Sequence, residues 1–205
     1  MASLDVPLLS GSLVRLEPLS VSHVPDLMEA AEEDRAAYGF TWVPRAAEVG
    51  DYVRAQLGRS GLTPFAQFRL ADGKAVGCTA YWDLRTWPGR DSLRAVEIGF
   101  TWLAASAQGT GINAEAKLLL LAYAFETLGV ARVDLKTDAR NERSRRAIAA
   151  LGARFEGVLR NWSASWAPGE EGRLRDSAMF SVVTDEWPAV KSSLATRVAG
   201  LARHG

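Results

Sequence analysis

The chain has 205 residues, 48% of them apolar and 23% charged, enough to bury a core without disulfides or structural metals. Its 24 basic and 24 acidic side chains cancel, which argues against nonspecific nucleic-acid binding, and no apolar run approaches the roughly 18 residues a membrane span needs. The lone Cys78 excludes an intrachain disulfide and a cysteine-based zinc site, and the two histidines, His23 and His204, lie too far apart in sequence to suggest a histidine metal site.

Residues 13–17 read as a strand closed by Pro18, after which Ser20 or Ser22 caps a helix running to about residue 33. Residues 34–44 hold aromatics, Gly39 and Pro44 and read as a loop. Val49, Tyr52, Val53 and Leu57 recur at helical spacing within 45–58. Strands follow over 65–70 and 75–84, with Asp72-Gly73 as the hairpin signal between them, and 86–92 is a loop. The strand over 94–103 is the clearest; strict alternation puts Val96, Ile98, Phe100 and Trp102 on one face and Glu97, Gly99 and Thr101 on the other. A small-residue loop over 104–111 opens a helix over 112–128, with Leu118, Leu121, Phe125 and Leu128 as its apolar stripe and Gly129 as its stop. A strand over 130–137 carries Val133, Leu135 and Thr137 on one face; Asn141 then caps a helix that ends at Gly152. Strands over 153–166 and 175–184 flank a turn at Pro168-Gly169, and a short helix or tail completes the chain. Together these predict an α/β sheet, mostly antiparallel, with one right-handed parallel crossover from 94–103 through 112–128 to 130–137.

The chemistry concentrates where that crossover begins. Gln108, Gly109, Thr110, Gly111, Ile112, Asn113 and Ala114 follow a strand and open a helix. Two glycines let the backbone approach a ligand, and the helix start offers unpaired N–H groups and the positive end of a dipole, together a cradle for a pyrophosphate. The loop lacks the Gly-Lys-Ser/Thr ending of a nucleotide P-loop and the third glycine of a dinucleotide fold.

On Gln108, Gly111 and the position of Asn113 the loop resembles the pyrophosphate motif Gln/Arg-x-x-Gly-x-Gly/Ala of the GNAT N-acetyltransferase superfamily, with Asn113 standing where that motif has Gly or Ala. Glu97 on the preceding strand, and Asn141 with Ser144 opening the helix after the next one, carry the same likeness. It covers about residues 10–185 and is nearest to the ribosomal-protein N-terminal acetyltransferase branch (RimJ/RimL-like). The resemblance implies the GNAT fold, a mixed, mostly antiparallel twisted sheet of about seven strands with about four helices, filling one domain over 1–205 with a C-terminal helix or tail over 186–205. It implies acetyl-CoA as co-substrate and no metal.

The resemblance also implies site roles. The strands over 94–103 and 130–137 splay, and the backbone of Phe100, Thr101, Trp102 and Leu103 holds the pantetheine arm, one N–H facing the thioester carbonyl. Glu97 is the candidate general base; the alternative is a strand carboxylate paired with Arg94 or a lysine. Ser144 is the candidate donor to the coenzyme sulfur, or simply part of the cap. Asn141 faces the pantetheine amides, and of the arginines at 143, 145 and 146, Arg146 is the one selected for the coenzyme phosphates. Phe40, Trp42, Tyr81, Trp82 and Trp162 are the candidate acceptor contacts, whereas Cys78 reads as a buried strand residue. The expected activity is acetyl transfer to a primary amine, a protein N-terminus or a small molecule, by direct attack. A non-catalytic acyl-CoA sensor or interaction module on the same fold is the alternative. No nucleic acid or membrane partner is expected. The absence of a basic start near Asp5 favours a cytoplasmic location. A homodimer is common among similar proteins, and neither the oligomeric state nor the acceptor is legible.

Overall fold

The computed structural model describes residues 3–203, so His204 lies outside the described residues. Ser20 accepts a hydrogen bond from the Ser22 N–H (3.3 Å) while His23 Nδ1 accepts from the Ser20 N–H (3.2 Å), a reciprocal cap that starts a short 3-10 turn leading into α1 (Val24–Glu32). Helix α2 (Val49–Gly58) follows the loop that contains Gly39 and Pro44. The remaining helices are α3 (Ile112–Ala122), α4 (Glu142–Ala149) and α5 (Trp187–Ala202). The strands are β1 (Leu9–Ser10), β2 (Val14–Pro18), β3 (Thr63–Arg69), β4 (Ala75–Thr86), β5 (Leu93–Leu103), β6 (Arg132–Asp138), β7 (Arg154–Ala164) and β8 (Leu174–Val183). They form one sheet in the order β1-β2-β3-β4-β5-β6-β8-β7, antiparallel throughout except for the parallel pair β5–β6.

Helices lie on both faces. Cys78 of β4 pairs with Trp102 of β5, whose indole N–H donates to the Tyr52 hydroxyl of α2 (3.3 Å). An odd step along β4 brings Tyr81 to the other face, where its hydroxyl donates to the Leu120 carbonyl of α3. Leu16, Phe65, Tyr81, Leu120, Leu121, Val133 and Val182 are all fully buried between these layers. Full burial of such aliphatic and aromatic side chains is worth roughly 1.5–3 kcal/mol each.

Several expectations need correcting. The chain adds a two-residue β1, and the helix-or-tail expected after residue 185 is the 16-residue helix α5, making eight strands and five α-helices among the described residues. Helix α3 passes at residue 122 into a π-helical turn (Tyr123–Thr127), and the buried stripe differs from the expected one: Leu120, Leu121 and Ala124 are fully buried, while Leu118, Phe125 and Leu128 are only partly so. Alternation along β5 also fails at Phe100. The pairing steps from Ala80–Gly99 to Cys78–Trp102, so Thr79 alone faces both Phe100 and Thr101. Phe100 takes φ +53°, a left-handed conformation, and points to solvent, and beyond the bulge the two faces exchange: Trp102 lies towards Tyr52 of α2, opposite Ile98, while Thr101 lies towards Lys117 of α3.

Candidate active site

Strands β5 and β6 are hydrogen-bonded only from Ala95–Arg132 to Glu97–Asp134. Beyond that pair β5 continues to Leu103 and β6 to Asp138, each held by its outer neighbour, so a wedge opens between two parallel strands. Glu97 sits at the fork. It is buried, its carboxylate lies over Gly99, and it is ion-paired with Lys136 of β6. A side chain on Gly99 would collide with it, since an added Cβ would lie 2.9 Å from Glu97 Oε1. Burial pushes the carboxyl above its ordinary range, and the Lys136 ammonium only partly offsets this. Of the two structural alternatives for Glu97, the lysine pairing is the one found, through Lys136 rather than Arg94.

The loop after β5 leads to the first turn of α3 at the wide end of the wedge. Gly109 (φ +79°) and Gly111 (φ +94°) are both left-handed. An added Cβ at Gly109 meets nothing within 4 Å, whereas one at Gly111 would lie 2.9 Å from Leu13 Cδ1. Gly109 is therefore set by conformation and Gly111 by conformation and space. Gly111 is the N-cap of α3 and no side chain caps that helix, which leaves its first-turn N–H groups to a ligand or solvent. Gln108 spans the loop, its amide N–H₂ donating to the Leu103 carbonyl (2.9 Å) and its oxygen accepting from Arg143 (2.8 Å). Thr110 donates to the Ala107 carbonyl (2.8 Å), and Ile112 and Ala114 are buried against the core. Asn113 is partly buried, with its Oδ1 buried and unpartnered.

Across the wedge, Asn141 Oδ1 accepts the Ser144 N–H (3.0 Å), so Asn141 is a capping residue and Ser144 completes the cap through its backbone. The Ser144 hydroxyl is left uncommitted among the described hydrogen bonds, one turn into α4. Arg146, selected from sequence, lies exposed on α4 and enters no ion pair among the described residues. The arginine joined to the loop is Arg143, which donates to Gln108 and to the Ala37 carbonyl (2.6 Å) and so ties α4 to two loops.

The aromatic candidates separate. Tyr81 is a core residue under α3, on the face away from Glu97, and is removed from the acceptor set. Trp82 pairs with Glu97 across the strands and packs edge-on to Phe100 (5.8 Å), with the Arg59 guanidinium 4.2 Å from the Trp82 ring centre. Trp42 lies 6.2 Å from Trp166 beside a cleft of about 270 Å³ that Tyr38 also lines. Phe40 lies under Arg140, and Trp162 is exposed on the edge strand β7. Sequence reasoning missed Arg59 and Trp166, which follow no spacing rule. It also missed Lys117 and Glu115, a buried cation and a buried anion within the Leu-rich helix. A charge inside an apolar stripe was the available signal for those two. Glu115 turns back to accept the N–H groups of Ser12 (2.8 Å), Leu13 (2.6 Å) and Val14 (2.8 Å), pinning the β1–β2 turn beside the loop.

Residues 14–154 match the model of the acetyltransferase (GNAT) domain. A GCN5-related N-acetyltransferase from Brucella melitensis superposes with a TM-score of 0.82 at 29% identity, covering 95% of this chain and 86% of that one. A candidate acetyltransferase from T. thermophilus does so with a TM-score of 0.78 at 34% identity, covering 95% and 98%. The N-acetyltransferase p20 of Bacillus licheniformis, itself uncharacterized, is 32% identical over 91 residues, 44% of this chain, and the match spans about half (48%) of that relative's length. The wedge, the uncapped helix start and a family match over most of the chain agree: this protein belongs to the GNAT acetyltransferase family.

Proposed function

We propose that the protein transfers an acetyl group from acetyl-CoA to a primary amine by direct attack, in the manner of the RimJ/RimL-like branch, with Glu97 as general base. The observation that carries this is the buried carboxylate at the fork of β5 and β6, on the face that carries Trp82 and Phe100. Acetyl-CoA supplies the activated acyl group. The first-turn N–H groups of α3 and the open approach at Gly109 suit its pyrophosphate. The unpaired edge of residues 100–103 suits an extended amide-bearing arm, and one N–H there stabilises developing negative charge on the carbonyl oxygen.

Glu97 takes a proton from the attacking ammonium, directly or through water, so that the amine attacks neutral. Its pKa, raised by burial, brings it closer to a useful base at neutral pH. The Ser144 hydroxyl donates to the departing thiolate. Trp82, Phe100, Trp42 and Trp166 border the acceptor side, and Arg143 serves the coenzyme end in place of Arg146. The test is coenzyme A release, followed with a thiol reagent across a panel of peptide N-termini, polyamines and amino acids. Turnover that falls about 100-fold or more in Glu97→Gln supports the reading. Acetyl-CoA binding without turnover on any amine, or turnover indifferent to Glu97→Gln and Ser144→Ala, makes the protein a sensor or binding module instead.

A further inference from the structure

Lys117 is a buried cation on α3 without a carboxylate partner among the described residues. Its ammonium donates to Thr79 of β4 (3.0 Å) and Thr101 of β5 (2.8 Å), and the two hydroxyls lie 2.8 Å apart. Those threonines are the residues at which the β4–β5 register slips, the bulge that throws Phe100 outward. From the neighbouring β3, the buried amide of Gln67, paired opposite Gly77, reaches the Cys78 (2.9 Å) and Trp102 (3.3 Å) carbonyls of those strands. Asn113, one helical turn before Lys117, adds a buried oxygen with no partner. From the solvent side Phe100 is braced by Trp82 and Arg59. A strained residue is thus held from both faces, as strain requires if it is to persist.

Burial of an unpaired ammonium opposes folding, and an apolar side chain of similar length would fill the same space at lower cost. We propose that Lys117 is a positioning residue. By bonding Thr79 and Thr101 from beneath the sheet, it holds the β5 bulge that sets the backbone of residues 100–103 along the wedge. The inference rests on the reading that this backbone faces the thioester, and part of its test is independent of turnover. Lys117 touches neither reactant; it acts through Thr101.

The experiment compares wild type with Lys117→Met and with the double variant Thr79→Val/Thr101→Val, which keeps the lysine and removes its acceptors. Amide hydrogen exchange over residues 99–102 is expected to quicken about tenfold or more in both, and kcat to fall at least about tenfold, while KM for acetyl-CoA moves less than about threefold. That split separates a role at the wedge from a general loss of stability, which lowers active concentration without moving exchange at one bulge. Unchanged exchange over 99–102 overturns the proposal, as does quickened exchange with unchanged kcat. A wild type that turns over no amine sinks the proposed function, and the exchange measurement still decides whether Lys117 holds the bulge.

Discussion

Methionine at position 117 keeps the length of lysine and removes its charge, and its effect on stability can be worked from the structure. Burial alone lowers the Lys117 ammonium from 10.5 to about 7. The folded chain therefore gives up this proton more readily than the unfolded chain, and ionisation opposes folding. At pH 6 both states are protonated and nearly the whole penalty applies, roughly 5 kcal/mol. Between pH 7 and 10.5 the unfolded chain holds a proton that the folded chain has lost, so stability rises with pH. By pH 9 about 3 kcal/mol of the penalty is relieved. The Met variant lacks this dependence, and its threonine hydroxyls keep each other as partners at 2.8 Å. It should be the more stable protein at pH 6, and its advantage should shrink by about 3 kcal/mol by pH 9. Urea unfolding followed by tryptophan fluorescence at four pH values measures the gap, and taking the difference between two proteins cancels other titrations. A gap that stays constant from pH 6 to 9 refutes the argument, because it means that the lysine is not a buried cation without a carboxylate partner.

Three further outcomes are expected. Gly111→Ala forces a Cβ into a left-handed position 2.9 Å from Leu13 Cδ1, so calorimetry should show coenzyme A affinity reduced about tenfold or more, while Gly109→Ala, strained but unobstructed, should cost less. Glu115→Ala strips the acceptor from three backbone N–H groups and the Ser12 hydroxyl, and at about 1 kcal/mol for each of these four groups should lower stability by roughly 4 kcal/mol, about 8–16 °C in Tm by scanning calorimetry. With Glu97 as base, activity should be lost as pH falls through its raised pKa, so the acid limb of kcat/KM should lie above 4.5 and disappear in Glu97→Gln; a limb at or below 4.5 removes Glu97 from that role.

The residues at which reading the sequence succeeded are those whose signal is local. Gly73, Gly111 and Gly129 take the left-handed angles that only a turn or a helix end demands, and Asn141 caps the helix it precedes. The parallel crossover followed from the same local grammar, a strand, a glycine loop and an apolar helix. Period-two counting failed at Phe100 because a bulge needs a partner strand to define it. The stripe on α3 was misassigned because Leu118 to Leu121 are all apolar, and only the sheet beneath decides which of them it covers. Tyr81 was misplaced for a similar reason: an aromatic on a strand buried on both sides has no local mark saying which face it takes.

By itself, then, the sequence determined most of the elements, the glycine loop at the start of α3 and the candidate carboxylate, each written within a few neighbouring residues. Tertiary structure alone decided that Lys136 is the ion-pair partner of Glu97, that Arg143 rather than Arg146 meets Gln108, and that Lys117 lies under the bulge. Each of those pairings joins residues on different elements, and only the order and register of the sheet bring such residues within a few ångströms of one another.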